Sequence, residues 1–479
     1  MQNSRFGSAT SLILRIILFA ASFGLIAVFA VSMSMWLLVQ LDNGGLRTAI
    51  RDAFVDGAIV AKSGSLFDLR RGDYLFNDCL ILQALLLERD NWRHSIIDST
   101  IYLNDEPCRT LELDVMGERP STSTYQYSRY MFAARVVSAP LIAVVGIDHA
   151  KQFVRALTYF TLLLTALISI RGLARRAQMK ARPRTIYSAG LICVAAMLGF
   201  YRLEYYSQTL AHGYSELVLA GFLLYSVTFA SAGAQDRVPT ASIVFGVLTG
   251  CFELLTGPAL IAVGMAVLMS HCAAPTRPHP CRHAAMAGLG CAAGVLITVL
   301  WQQAIISAVS DAKPFYQFIT HLAMRLQLHQ FLPIPFEPNW ATPENLHLYS
   351  PRDVVDSMIA TLPNLTYKSS IAALIVFGCS AIAVALGPAL SRRATRPGCV
   401  IAAAVALTLP LWYFAFSNHT VLHSLYMVRM CVLLPICAGI SLMFVLAPDS
   451  WLASQRPSLQ PTRDHGLGFL DADALGGRK

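Results

Sequence analysis

SLILRIILFAASFGLIAVFAVSMSMWLLVQL, from Ser11 to Leu41, carries a single charge, Arg15, near its start. About 20 apolar residues in a helix cross the ~30 Å hydrocarbon layer of a bilayer, so this stretch is long enough to span. Arg5 precedes it, and no small-residue cleavage pattern appears before the chain turns polar. It therefore reads as an uncleaved signal anchor with its N-terminus inside.

Working outward, the remainder of the 479 residues repeats the theme. Hydrophobic residues make up 55% and charged residues 14% of the chain, and mean hydropathy is +0.53, far from a soluble globular balance. The expected class is an all-α polytopic membrane protein. A formal charge of +9 is read by location: basic residues gather in short connections, as positive-inside loops do, so it is no argument for nucleic acid.

After the anchor comes a polar excursion, residues 42–152. The next spans run from Val154 to Ile170, ending at the basic Arg171 to Arg184 connection, then Thr185 to Tyr201 and Tyr214 to Ser231. Ala241 to Ser270 is either one span or two short ones broken at Glu253-Leu-Leu-Thr-Gly257-Pro258. Two spans put Arg277 and Arg282 inside and are preferred. Ala284 to Ile306, Ser370 to Leu390, Val400 to Phe416 and Tyr426 to Ala447 complete about ten spans with both termini cytoplasmic. The chain divides into the anchor (1–41), the first loop (42–152), a transmembrane bundle (153–306), a second loop (307–369), C-terminal spans (370–447) and a polar tail (448–479) expected to be disordered.

Both loops face the extracytoplasmic side in this topology and are too long for simple turns. In the first, Arg135-Val-Val-Ser-Ala-Pro140 leads into Leu141 to Val145, too short to span and expected to lie in the interface. In the second, Phe331-Leu-Pro-Ile-Pro-Phe-Glu-Pro338-Asn-Trp340 reads as an extended segment. Of 11 cysteines most sit in apolar runs, but Cys79 and Cys108 share the first loop, where an oxidising compartment lets them pair or leaves them apart according to geometry. Asn364-Leu-Thr366 and Asn418-His-Thr420 match the glycosylation acceptor pattern.

The remaining polar residues sort to one side. Asp78, Arg129, Arg202, Glu204, His212, Glu253, His419, His423 and Arg429 all fall at or near outer ends of spans. Ionisable groups at membrane depth are costly and are expected to line a pathway or pocket. If the bundle closes on itself, they line one cavity near the outer leaflet, suited to an anionic lipid-linked substrate: the tail lies between helices while His423, Arg429 and Arg202 bind phosphate. His423 and Arg429 are six apart in the sequence and share a site only if His423 lies in the preceding turn. Asp78 is the candidate general base, taking the proton of an acceptor hydroxyl. Bland readings stand beside these: Asp78 as a loop acid or N-cap partner, Glu253 as an exposed turn, the arginines as snorkelling anchors, the histidines as interfacial side chains.

An acidic residue early in an extracytoplasmic loop after the first span, an interfacial helix before the second, about ten spans and a late outer loop resemble the GT-C superfamily of polyprenyl-phosphate-sugar-dependent glycosyltransferases. The segments Asn77-Asp78-Cys-Leu-Ile-Leu, Ser128-Arg129-Tyr130, Gly246 to Pro258 and Leu411 to His423 also look like a poorly characterised group of bacterial multispan proteins. The resemblance implies a glycosyltransferase of the cell envelope, seated in the cytoplasmic (inner) membrane. It would take a polyprenyl-phosphate sugar donor, act on a lipid or glycan acceptor amid membrane lipids, and place Asp78 at the catalytic-base position. One departure is plain: no Asp-Asp or Asp-x-Asp metal motif follows Asp78, Asn104-Asp105-Glu106 lying far downstream. A divalent metal stays open, and no other cofactor is implied. A transporter or flippase of a lipid-linked saccharide is the alternative, expected to show paired broken helices near the midplane.

Overall fold

The computed structural model describes residues 3–40, 44–60, 75–86, 99–102, 106–118, 123–127, 133–174, 184–231, 237–252, 257–275, 279–309, 314–331 and 346–447. In chain order the helices are α1 (Asn3–Gln40), α2 (Gly44–Val55), α3 (Leu75–Leu86), α4 (Pro107–Val115), α5 (Ala134–Val145), α6 (Ile147–Ala174), α7 (Arg184–Phe200), α8 (Leu203–Tyr206), α9 (Gly213–Ser231), α10 (Arg237–Phe252), α11 (Pro258–Ala273) and α12 (Pro280–Val309). They continue with α13 (Pro314–Arg325), α14 (Pro351–Thr361), α15 (Ser370–Leu390), α16 (Arg396–Ala415), α17 (Ser417–Leu422), α18 (Ser424–Met427) and α19 (Leu433–Leu446).

The chain is an all-α polytopic membrane protein, with one antiparallel ribbon, Ser99–Tyr102 against Thr124–Tyr127, as the exception among the described residues. Among those residues six helices are long and apolar enough to cross a membrane: Ile13–Leu38, Ile147–Ala174, Pro280–Ala308, Ser370–Leu390, Arg396–Ala415 and Ser424–Leu446. Arg184–Phe200, Gly213–Phe229, Thr240–Phe252 and Pro258–Ala273 are apolar but shorter, so length alone does not reach the expected ten.

The α1 helix shows how apolar sequence becomes packing. Ile16, Ala20, Gly24, Val28, Ser32 and Met35 are buried at near-regular four-residue spacing, while Leu14, Leu18, Ile26, Phe29 and Leu37 face outward. The buried seam rests on α12, where Trp301 Nε1 donates to Ala21 O at 3.0 Å. In α6 the buried stripe includes Thr158, Thr161 and Thr165, and each of these hydroxyls donates to the carbonyl one turn back, which satisfies it within the helix. Close approach of α10 and α12 depends on glycine: a Cβ at Gly246 would collide with the Cys291 backbone.

The first excursion is not merely extended polar chain. Helices α2, α3, α4 and α5 bury Leu46, Ile50, Phe54, Cys79, Leu82, Cys108, Leu111 and Ile142 in a core of their own, continuous with Val154, Leu210 and Tyr214 of the bundle. A Cys79–Cys108 disulfide ties α3 to α4, with Cα atoms 5.1 Å apart. The expected interfacial element is longer than Leu141 to Val145: α5 runs from Ala134 and is set off from α6 by Gly146 at φ 78°. The Ala241 to Ser270 region forms two helices, α10 and α11, with Gly257 at φ 134° immediately before α11; Glu253 lies outside the described residues. The final span is not one α-helix. Val428–Val432 is a 3-10 stretch between α18 and α19.

The second excursion folds over the same end of the bundle. Arg325 at the end of α13 donates to Asn418 Oδ1 at 3.1 Å, and Gln327 donates to Tyr349 O and to Ser417 Oγ. Asn418 is fully buried and held by Arg325. The proline-rich Phe331 to Trp340 segment lies outside the described residues beyond Phe331, as do the chain after Ala447 and Asn104 and Asp105.

Candidate functional site

Asp78 stands in the first turn of α3 and is 1% exposed. Its Oδ1 accepts the backbone N–H groups of Leu210 (2.7 Å) and Ala211 (3.2 Å), and Lys151 Nζ lies 2.7 Å from Oδ2. The receiving turn, residues 207–212, is held in part by its own hydroxyls and by that of Ser215. Thr209 Oγ1 accepts from His212 N and donates to Tyr206 O, and Ser215 Oγ donates to His212 O. The carboxylate thus binds at the entry of α9, where free N–H groups favour an anion. An ionised carboxylate offers about four acceptor sites; three are filled here.

The neighbouring Asn77 Nδ2 donates to Tyr426 OH at 3.2 Å and lies 3.5 Å from His212 Nε2. From there rings follow one another: His212 and Tyr426 have centroids 5.2 Å apart, Tyr426 and His423 6.5 Å, His423 and His419 4.5 Å. His423 sits between α17 and α18 at φ −120°, outside any continuous helix, so it and Arg429 do lie on opposite sides of a chain break. Arg429, carried on the 3-10 stretch, pairs with Glu216 at 2.7 Å, both side chains wholly buried, and its guanidinium lies 4.8 Å from the Tyr206 ring. Asp78, His212, His419, His423 and Arg429 are therefore brought to one end of the bundle and linked through Asn77, Tyr426 and Tyr206.

Burial pushes the His212 imidazole well below its usual range, with the Arg429 charge acting the same way. Burial, then Arg325, lowers His423 to about 3. A neutral His423 offers phosphate an N–H dipole rather than the charge expected from sequence, and Arg429 already has a carboxylate partner.

Arg202 and Glu204 form a separate pair at 2.6 Å. The Arg202 guanidinium is held between the Tyr205 and Tyr367 rings, 4.3 and 4.6 Å from their centroids, and donates to Asn364 O at 2.9 Å. Arg129 and Glu253 lie outside the described residues. Among the described residues no three His, Cys, Asp or Glu side chains are placed to hold a metal ion.

Beside the Asp78–Lys151 pair an open groove of about 490 Å³ is lined by Gln152, Arg155, Ala156, Tyr159 and Gln208.

No family model, characterised protein or solved structure matches the chain. The GT-C resemblance thus rests on the order of features along the chain alone.

Sequence reasoning missed Lys151, Arg155 and Glu216. Glu216 had the same signal as Glu253, a lone acid within an apolar run. Lys151 and Arg155 had another: cations at the end of a span where the positive-inside rule expects few.

Proposed function

We propose that this protein is a membrane glycosyltransferase that moves a sugar from a polyprenyl-phosphate donor to a lipid or glycan acceptor on the extracytoplasmic face of the cytoplasmic membrane. In this reading the four shorter apolar helices join the six long ones to make ten spans, both termini are cytoplasmic, and the end carrying Asp78 faces out. The observation that carries the reading is the seating of a nearly buried carboxylate, Asp78, against Lys151, the residue before Gln152 of the open groove.

The chemistry needs few parts. An acceptor hydroxyl oxygen attacks the anomeric carbon, the bond from that carbon to the phosphate oxygen breaks, and the electron pair leaves with the phosphate. The hydroxyl proton passes to the remaining acceptor site of Asp78, from which Lys151 turns towards the departing phosphate. The leaving group is anionic already and needs a cation more than an acid.

A transporter or flippase of the same lipid-linked saccharide is the competing reading, and the helix break between α10 and α11 at Gly257 favours it. The deciding experiment is transfer of a radiolabelled sugar from a polyprenyl-phosphate donor in proteoliposomes. Asp78→Asn is expected to abolish product while membrane abundance is unchanged. Undiminished product, or movement of donor across the bilayer without transfer, would count against the transferase.

A further inference from the structure

The groove beside Asp78 carries an arginine, Arg155, that the steps above leave unused. Lys151 and Arg155 are one helical turn apart on α6 and face the same way. Arg155 lies eight residues into the 28-residue helix Ile147–Ala174 and at the start of its apolar run Val154 to Ile170, near the outer end of that span. Lys151 is paired with Asp78; Arg155 forms no ion pair among the described residues and rests on the Tyr159 ring, 5.8 Å from its centroid. The nearby carboxylates are engaged: Asp78 with Lys151 and the 210–211 amides, Glu204 with Arg202. Gln152 and Gln208 add neutral donors to the same wall. A groove lined by Arg155 and two amides, with Lys151 one helical turn away and no carboxylate among its lining residues, suits an anion.

The helix face below says which kind of anion. Gln152, Ala156, Tyr159, Leu163 and Leu167 follow one another at three- and four-residue spacing, so the polar mouth continues into an apolar face; Leu163 and Leu167 are 55% and 52% exposed. Free phosphate would use the mouth and none of the face.

We infer that Arg155 and Lys151 form the phosphate subsite for a lipid phosphate whose hydrocarbon tail lies along α6, a site distinct from the buried Arg429 and His423. The inference rests on the proposed function for the identity of the tail as a polyprenyl chain, but its test reads binding and needs no turnover.

The probes are farnesyl phosphate, farnesol and inorganic phosphate, applied to the full chain in nanodiscs, with occupancy followed by native mass spectrometry. Farnesyl phosphate is expected to bind about tenfold or more tightly than either other probe, because only it satisfies both the cations and the apolar face. Arg155→Ala should weaken it about tenfold or more, and Arg155→Lys should restore part of the loss. The melting midpoint of each variant reports whether the fold is intact. Wild-type protein that binds no probe, or equal affinity in Arg155→Ala with an intact fold, overturns the subsite. Equal affinity for inorganic phosphate overturns the lipid source. Binding that depends on Arg155 in a protein that never transfers sugar removes the glycosyltransferase and leaves the subsite standing.

Discussion

Glu216 and Arg429 are 213 residues apart in the chain and meet at 2.7 Å with neither side chain exposed. Removing one partner strands a buried charge, which typically costs about 3–5 kcal/mol. Arg429→Met and Glu216→Gln are each expected to lower the melting midpoint in detergent substantially, and the double variant to lie closer to wild type than either single one. Additive losses would show that the pair is not coupled. A folded double variant that keeps full transferase activity would also exclude Arg429 from donor binding.

Asp78 has two separable duties. Asp78→Asn keeps an acceptor for the Leu210 and Ala211 amides while removing the charge opposite Lys151, whereas Asp78→Ala leaves two buried N–H groups unpaired at roughly 1–3 kcal/mol each. Melting curves should therefore rank wild type, then Asn, then Ala, with both variants inactive. An Asn variant as active as wild type would reduce Asp78 to an anchor for the 207–212 turn.

His423 makes stability depend on pH. Its folded value of about 3 lies below the ordinary 6.5, so the unfolded chain binds the extra proton first. The neutral ring's contribution is complete above about pH 6.5 and is lost as pH falls from there towards about 3; His212 acts in the same direction. The melting midpoint should fall between pH 7 and pH 5, and more gently in His423→Gln. Identical slopes would rule out burial of a neutral His423.

The Cys79–Cys108 bridge closes a 29-residue separation, worth about 3–4 kcal/mol in the chain-entropy picture. Cys79→Ala with Cys108→Ala should lower the midpoint by that order and remove a mobility difference between reduced and non-reduced gels. Thiols that remain trappable in intact cells would place the first excursion in a reducing compartment.

The proposed topology puts Cys281, an exposed native cysteine beside Arg282, on the cytoplasmic side. An impermeant maleimide is expected to modify it only after the membrane is opened. Labelling in intact cells would reverse the orientation and, with it, the assignment of Asp78 to the outer face.

Much of the architecture is legible along the chain because hydropathy acts locally: Ser11 to Leu41 must be a helix in lipid whatever surrounds it, since no other fold satisfies its backbone. The break after Phe252 was similarly marked by Gly257-Pro258 and by the charges that follow. The first excursion was harder. Its helices are short, and what holds α3, α4 and α5 is their shared core and a disulfide, neither of which has a periodic signature.

By itself the sequence determined that this is a multispan membrane protein, since apolar length fixes spans; the gathering of Asp78, His212, His423 and Arg429 near one end was an expectation from charge bias. Only the tertiary structure decided their partners: Lys151 for Asp78, Glu216 for Arg429, Asn77 between His212 and Tyr426. Which buried charge meets which depends on how helices distant in sequence rotate and pack, and small-residue seams such as that at Gly246 set this rotation rather than any pattern near the charges themselves.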